Sequence, residues 1–214
     1  MSSILLPYNH YHRENLMREG IHPSKIIVSG NTTFEAMRAF QPQIEASDTL
    51  HILVTAHRSE NVDNPEYLAR IFEAMGQLAQ RFKREVIYPM HPRTRSKLAS
   101  IPVPPNVRLM APLGFYDFNK LLTHAYCVLS DSGTAAEEGP FYKVAHVSLR
   151  MATERYETIE SGATIVSGMT VENIVESVTL AVSLPWEARY DLYENFSPSS
   201  VVVNAIRTQI TNFF

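Results

Sequence analysis

Strands alternate with helices along most of this chain. That order predicts an α/β protein, a Rossmann-like parallel sheet with helices on both faces. Three observations carry the expectation. Short apolar runs at residues 50–56, 85–88, 107–110, 126–129 and 145–149 have the length and content of buried strands. Amphipathic stretches separate them, most clearly from Pro65 to about Lys83, where Leu68, Ile71, Phe72, Met75 and Leu78 form one apolar stripe. Polar clusters follow the strands, as His57, His91, Ser132 and Arg155 each do, and ligands bind at that end of such sheets.

In order, residues 4–7 read as a strand and residues 9–19 as a polar helix stopped by Gly20. Residues 26–28 read as a second strand. Gly30-Asn31 turns the chain, and Thr32-x-x-Glu35 is a capping box opening the next helix. Residues 41–49 are a polar connection. Asn64-Pro65-Glu66 combines a cap, a proline at the first helical position and a first-turn acid. Residues 94–99 and 115–124 read as short helices, the second carrying Phe118, Leu121 and Leu122. Pro140 falls inside the helix after Thr134 and predicts that it is short or kinked. Residues 157–161 form a helical turn stopped by Gly162, and residues 163–166 a last strand. Thr170 caps a helix to about Leu184, residues 185–200 are mixed and aromatic, and residues 200–214 close as a helix.

The 214 residues, 45% of them hydrophobic, suffice for a substantial core. The net charge of −3, without a long basic run, gives no sign of a nucleic-acid partner or an anionic membrane surface. The one cysteine, Cys127, falls in an apparent core strand, which fits a reducing compartment. No apolar run has membrane-spanning length and no signal-peptide pattern opens the chain, so a cytoplasmic location is expected. Met1-Ser2-Ser3 leads directly into an apolar strand, as if the chain begins inside something larger. Metal-ligand spacing, G-x-G-x-x-G, the P-loop and G-x-S-x-G are absent, and no cofactor is expected.

The chemistry centres on residues 126–138, Y-C-V-L-S-D-S-G-T-A-A-E-E. A strand turning through glycine into a helix leaves backbone N–H groups without partners at the positive end of the helix dipole, and phosphate binds there. Ser132 and Thr134 add hydroxyls, and Gly133 allows close approach to the backbone. Glu138, about one turn further, can accept hydrogen bonds from sugar hydroxyls. The alternative is that Asp131-Ser132 only caps a helix and Glu138 is solvated.

Elsewhere, His57 can donate to a phosphate or shuttle a proton, or simply bond the backbone. Arg155 offers a fork suited to a diphosphate, or an ion pair with Glu154 or Glu157. Phe118 can pack on a nucleobase or in the core. His91 is a weaker candidate, read as structural; Glu60 and Glu137 read as solvated or capping residues.

T-A-H-R-S-E-N-V-D-N-P, P-M-H-P-R, S-D-S-G-T-A-A-E-E-G-P and T-E-R-Y-E-T-I-E-S-G, with Gly30-Asn31-Thr32, together resemble the non-hydrolysing UDP-N-acetylglucosamine 2-epimerases. The match runs in order over nearly the whole chain. It implies one half of a glycosyltransferase-B arrangement, two Rossmann-like domains facing each other across a cleft. Residues 1–214 would be the second, UDP-binding domain with the closing helices, and the first domain would be missing. His57, Ser132, Gly133, Thr134 and Arg155 would then hold the diphosphate, Glu138 the ribose and Phe118 the uracil. The family reaction implied is anti elimination of UDP to a glycal, then readdition with inversion at C2. The lysine and carboxylates that handle the C2 proton would lie in the missing domain, so this chain alone is expected to be inactive. Family members are typically dimers, which makes a homodimer possible.

Departures from the family pattern concern the sugar. Thr134 stands where a second glycine is common, Tyr156 where proline is, and Ala111 where glutamine is. The S-G-T form and the N-F-S-P-S-S-V-V-V-N-A-I tail look closer to relatives acting on UDP-diacetamido-uronic or 6-deoxy sugars. Two further alternatives are the donor-binding half of a glycosyltransferase and a silent UDP-sugar-binding module.

Overall fold

The computed structural model describes residues 3–39, 50–98, 101–184 and 197–211. Two compact units emerge, one from Met1–Gln41 with Leu192–Phe214, the other from Pro42–Asp191.

The larger unit holds six strands, β1 (His51–Thr55), β2 (Val86–Pro89), β3 (Val107–Met110), β4 (Ala125–Ser130), β5 (Ala145–Ser148) and β6 (Thr164–Val166). They form one parallel sheet in the order β3-β2-β1-β4-β5-β6. This is a doubly wound Rossmann-like sheet, as expected. Its order reverses between β1 and β4, and a crevice opens beyond the strand ends at such a switch point.

Alternation along the strands builds two cores. Ile52, Val54, Cys127 and Leu129 point to one face, with Leu68, Ile71, Phe72, Met75 and Leu78 of α4 (Pro65–Phe82) and Ile174 and Val178 of α9 (Val171–Ser183). Leu53 and Val128 point to the other, with Leu122 of α6 (Phe115–Thr123). Each fully buried Leu, Ile or Phe contributes about 1.5–3 kcal/mol. Also on the second face, α7 (Ala135–Phe141) lies close to the sheet: a Cβ at Gly139 would stand 3.2 Å from Val144 O and 3.3 Å from Val128 Cγ1. Pro140 sits inside this seven-residue helix, which is short as expected.

Local signals set several boundaries. The Asn64 side chain accepts from Glu66 N and Tyr67 N, starting α4, and Lys83 ends it in the left-handed region at φ 53°. Thr170 Oγ1 accepts from Asn173 N and starts α9. The short helices move: α5 is Pro92–Arg95 rather than 94–99, because Pro92 takes the first position and His91 Nδ1 accepts from Arg93 N. Residue 99 lies outside the described residues. One more turn, α3 (Ser59–Val62), forms where the sequence predicts a loop, and α8 (Tyr156–Glu160) starts one residue early.

In the smaller unit, α1 (His10–Arg18) is capped by Asn9 and followed by Gly20 at φ 85°. The two strands expected at 4–7 and 26–28 reduce to one parallel bridge, Leu5 to Ile26. The capping box at Thr32 does not form. Asn31 Oδ1 instead accepts from Thr33 N at 2.8 Å, starting α2 (Thr32–Ala39). Glu35, freed from that role, accepts from Ser199 N at 2.7 Å and from the Ser197 and Ser199 hydroxyls, at the start of α10 (Pro198–Thr211). The connection at 41–49 and most of 185–200 lie outside the described residues. Among the described residues no helix is long and apolar enough to cross a membrane.

Candidate functional site

Because all six strands are parallel, their carboxyl ends share one edge, and the loops there bring His57 beside His91 and Gly133 beside Arg155. The loop after β1 is anchored first. Ala56 O accepts from Tyr88 Oη at 2.6 Å and from Thr94 Oγ1 at 3.0 Å. His57 follows at once. Its backbone N–H bonds Asp131 Oδ2 at 3.0 Å, and its Nδ1 stands 3.6 Å from Asp131 Oδ1. His91, on the neighbouring loop, places its ring 6.1 Å from the His57 ring while capping α5.

Asp131, which the sequence offers only as a helix cap, has a different role. It does not cap α7, and Thr134, at the cap position, makes no side-chain capping bond. The fully buried Asp131 carboxylate accepts from Arg58 N at 2.9 Å and Asn61 Nδ2 at 3.0 Å as well as from His57 N. Asn61 also donates to Leu149 O at 2.8 Å, so one buried pair ties together the ends of β1, β4 and β5. A hint was available: an acid at the end of an apolar strand needs donors when buried. Their source depends on β1 lying beside β4, which local sequence does not reveal.

Past Asp131, Ser132 N bonds Ser130 Oγ at 2.9 Å, and the amides of Glu137 and Glu138 bond Thr134 O at 2.9 Å. Gly133 faces the loop after β5. A Cβ there would be 3.6 Å from Glu154 Oε1 and 3.8 Å from Arg155 Nε. Two expected partners of Arg155 sort out differently. Its Nη1 lies 3.1 Å from Glu137 Oε1 and 4.0 Å from Glu157 Oε1, whereas Glu154 Oε2 accepts from Arg150 Nη1 at 2.7 Å. Glu137 is therefore neither solvated nor a cap. It is buried beneath the guanidinium, which compensates its charge. Glu60 is exposed, 3.7 Å from Arg150 Nε.

Glu138 is also buried. Burial, with the neighbouring Glu137 carboxylate, pushes its carboxyl up to about 7. A charge poised in this way gains from any donor that a ligand brings. Phe118 is half-buried and packs against the Leu53, Leu122, Ala125, Val128 and Val144 cluster. Phe115 and Tyr116, one turn earlier, are exposed. Cys127 is buried, as its strand position implied, and its thiol is pushed up to about 12 by burial. Among the described residues no group of three or more His, Cys, Asp or Glu side chains could hold a metal ion.

A family model described as UDP-N-acetylglucosamine 2-epimerase matches residues 1–205. The UDP-N-acetylglucosamine 2-epimerase of Methanocaldococcus jannaschii is 33% identical over 202 residues, covering 86% of this chain and 55% of that protein. The UDP-2,3-diacetamido-2,3-dideoxy-D-glucuronate 2-epimerase of Pseudomonas aeruginosa is 32% identical over 194 residues, covering 87% and 54%. The crystal structure of the M. jannaschii UDP-GlcNAc 2-epimerase in complex with UDP-GlcNAc and UDP superposes with a TM-score of 0.83 at 29% identity, covering 97% of this chain and 61% of that one. The chain spans about half the length of the curated relatives it matches. A doubly wound sheet of matching shape and a family match over nearly every residue lead to one assignment: the chain belongs to the UDP-N-acetylglucosamine 2-epimerase family.

Proposed function

We propose that this chain supplies the UDP-holding half of a two-domain UDP-N-acetylglucosamine 2-epimerase. The diphosphate lies over Ser132, Gly133 and Thr134, at the start of α7. Arg155 meets it from the far side and His57 from the loop after β1. Glu138 accepts from the ribose hydroxyls, and Phe118 borders the uracil.

The observation that carries this reading is the meeting of Gly133 with Arg155, whose Nε lies 3.8 Å from where a Cβ would be. A bare backbone and a guanidinium border the same space, which suits a diphosphate. Support comes too from the relative of known structure, whose complex holds UDP-GlcNAc and UDP. In the reaction, UDP leaves by anti elimination and adds back with inversion at C2. Donors aimed at the departing diphosphate stabilise charge that grows in the transition state. The groups that move the C2 proton lie outside these residues, in a facing domain, and a homodimer is the assembly that fits this family.

The sugar has a second reading. The diacetamido-glucuronate enzyme is nearly as similar as the N-acetylglucosamine enzyme, and Gly133 is followed by Thr134.

Calorimetric titration with UDP, UMP and both UDP-sugars tests the proposal. UDP binds and UMP binds much more weakly. The chain alone gives no turnover, and adding a separately produced facing domain restores it. Gly133→Ala is the informative variant, because its Cβ makes only ordinary contacts of 3.6 and 3.8 Å. It folds normally yet raises the UDP Kd at least tenfold by filling the anion's approach. UDP affinity unchanged by that methyl group, or turnover by the chain alone, would refute the assignment.

A further inference from the structure

We propose that Asp131 is the positioning residue for His57. Its buried carboxylate holds the imidazole with Nδ1 turned inward and protonated, leaving Nε2 as the atom presented to the ligand. The Asp131 side chain is 0% exposed and that of His57 is 44% exposed, so the ring has one wall and one open side. Asp131 Oδ1 stands on the wall side, 3.6 Å from Nδ1. The carboxylate cannot swing away, because His57 N, Arg58 N and Asn61 Nδ2 all donate to it. Asn61 is fixed in turn by Leu149 O.

A carboxylate beside one imidazole nitrogen places the proton there, and the other nitrogen then exchanges protons with whatever it meets. In the neutral ring Nε2 carries a lone pair; in the cation it carries a proton and can donate to a phosphate oxygen. The identity of that phosphate rests on the proposed function, but the orientation of the ring does not. Asp131 lies at the switch point, directly after β4, while His57 follows β1. The same contacts therefore set the distance from His57 to the Ser132–Thr134 turn.

The test uses the full chain without ligand. Two-bond 1H–15N spectra report which imidazole nitrogen carries the proton, and His57→Gln identifies the His57 signals. The wild type shows the Nδ1–H form. Asp131→Asn, which keeps the shape and removes the charge, shifts His57 toward Nε2–H while the circular dichroism spectrum is unchanged. UDP then binds about tenfold more weakly to this variant. A wild-type His57 in the Nε2–H form overturns the proposal, as does the same form in both proteins. Should Asp131→Asn fail to fold, the wild-type tautomer decides alone. Absence of UDP binding would sink the functional reading and leave this result standing.

Discussion

Glu138 shows how much a single residue owes to its burial. Hydrogen bonds from ribose hydroxyls favour the carboxylate over the acid, so a ligand that makes them lowers a carboxyl now near 7. Binding then releases a proton, and affinity rises with pH. Between pH 6 and 8 the UDP Kd is expected to fall roughly tenfold, one proton linked to one ligand. Glu138→Gln cannot ionise, so it keeps only the pH dependence of UDP itself. Calorimetry at three pH values measures both. Equal slopes in the two proteins would remove Glu138 from the ribose site. At this scale the sequence was informative about residue type and spacing. It named Ser132, Gly133, Glu138 and Arg155 on one turn and one facing loop. Of the two partners it offered Arg155, Glu157 stands 4.0 Å away and Glu154 turns to Arg150, while Glu137 on α7, at 3.1 Å, was not foreseen, because only the fold brings the loop after β5 against that helix.

Elements were legible where local signals agreed with each other. α4 has its cap, its first-turn proline and acid and its apolar stripe, and it forms as read. The Asn64 side chain satisfies two amides that would otherwise face solvent at the helix start. Asn64→Ala is expected to cost about 1 kcal/mol of stability, the usual worth of such a cap. UDP affinity should not change, since the Asn64 side chain is engaged by Glu66 N and Tyr67 N at the start of α4. Urea unfolding and the same titration check the two halves of this prediction. Where a neighbour competes for a local signal, the reading fails. Thr32-x-x-Glu35 has the pattern of a capping box, but Asn31 reaches the amide of Thr33 first and Glu35 turns to Ser197 and Ser199. The runs at 4–7 and 26–28 are apolar enough for strands yet share only one bridge. Period and composition describe a segment, not the number of its partners.

For the whole molecule, the class of sheet was legible and the order of its strands was not. Alternating strands and helices imply a parallel sheet, but β1 beside β4 joins residues more than 70 positions apart. That adjacency creates the switch point and the Asp131 contacts together. The same sheet buries His146 on β5, whose Nδ1 lies 3.0 Å from Thr164 Oγ1 and whose imidazole is held down to about 3 by burial. Two buried groups with opposite shifts make global stability an unusual function of pH. His146 is depressed from 6.5, so the stability of its neutral form is present above pH 6.5 and lost as pH falls toward 3. Glu138 is raised from 4.5, so stability is greatest below 4.5 and is lost as pH rises toward 7. Between about pH 4.5 and 6.5 the two slopes, each near 1.4 kcal/mol per pH unit, oppose and nearly cancel. The wild type should show a plateau there in urea-measured unfolding free energy. Glu138→Gln removes one slope and exposes the other. Its stability should fall steadily from pH 6.5 downward, by about 1.4 kcal/mol per unit, while at pH 8 it exceeds the wild type by about 3 kcal/mol. If the variant instead keeps the plateau, His146 titrates in the folded chain much as it does in the unfolded one, and the β5 core admits a charge that its burial argues against.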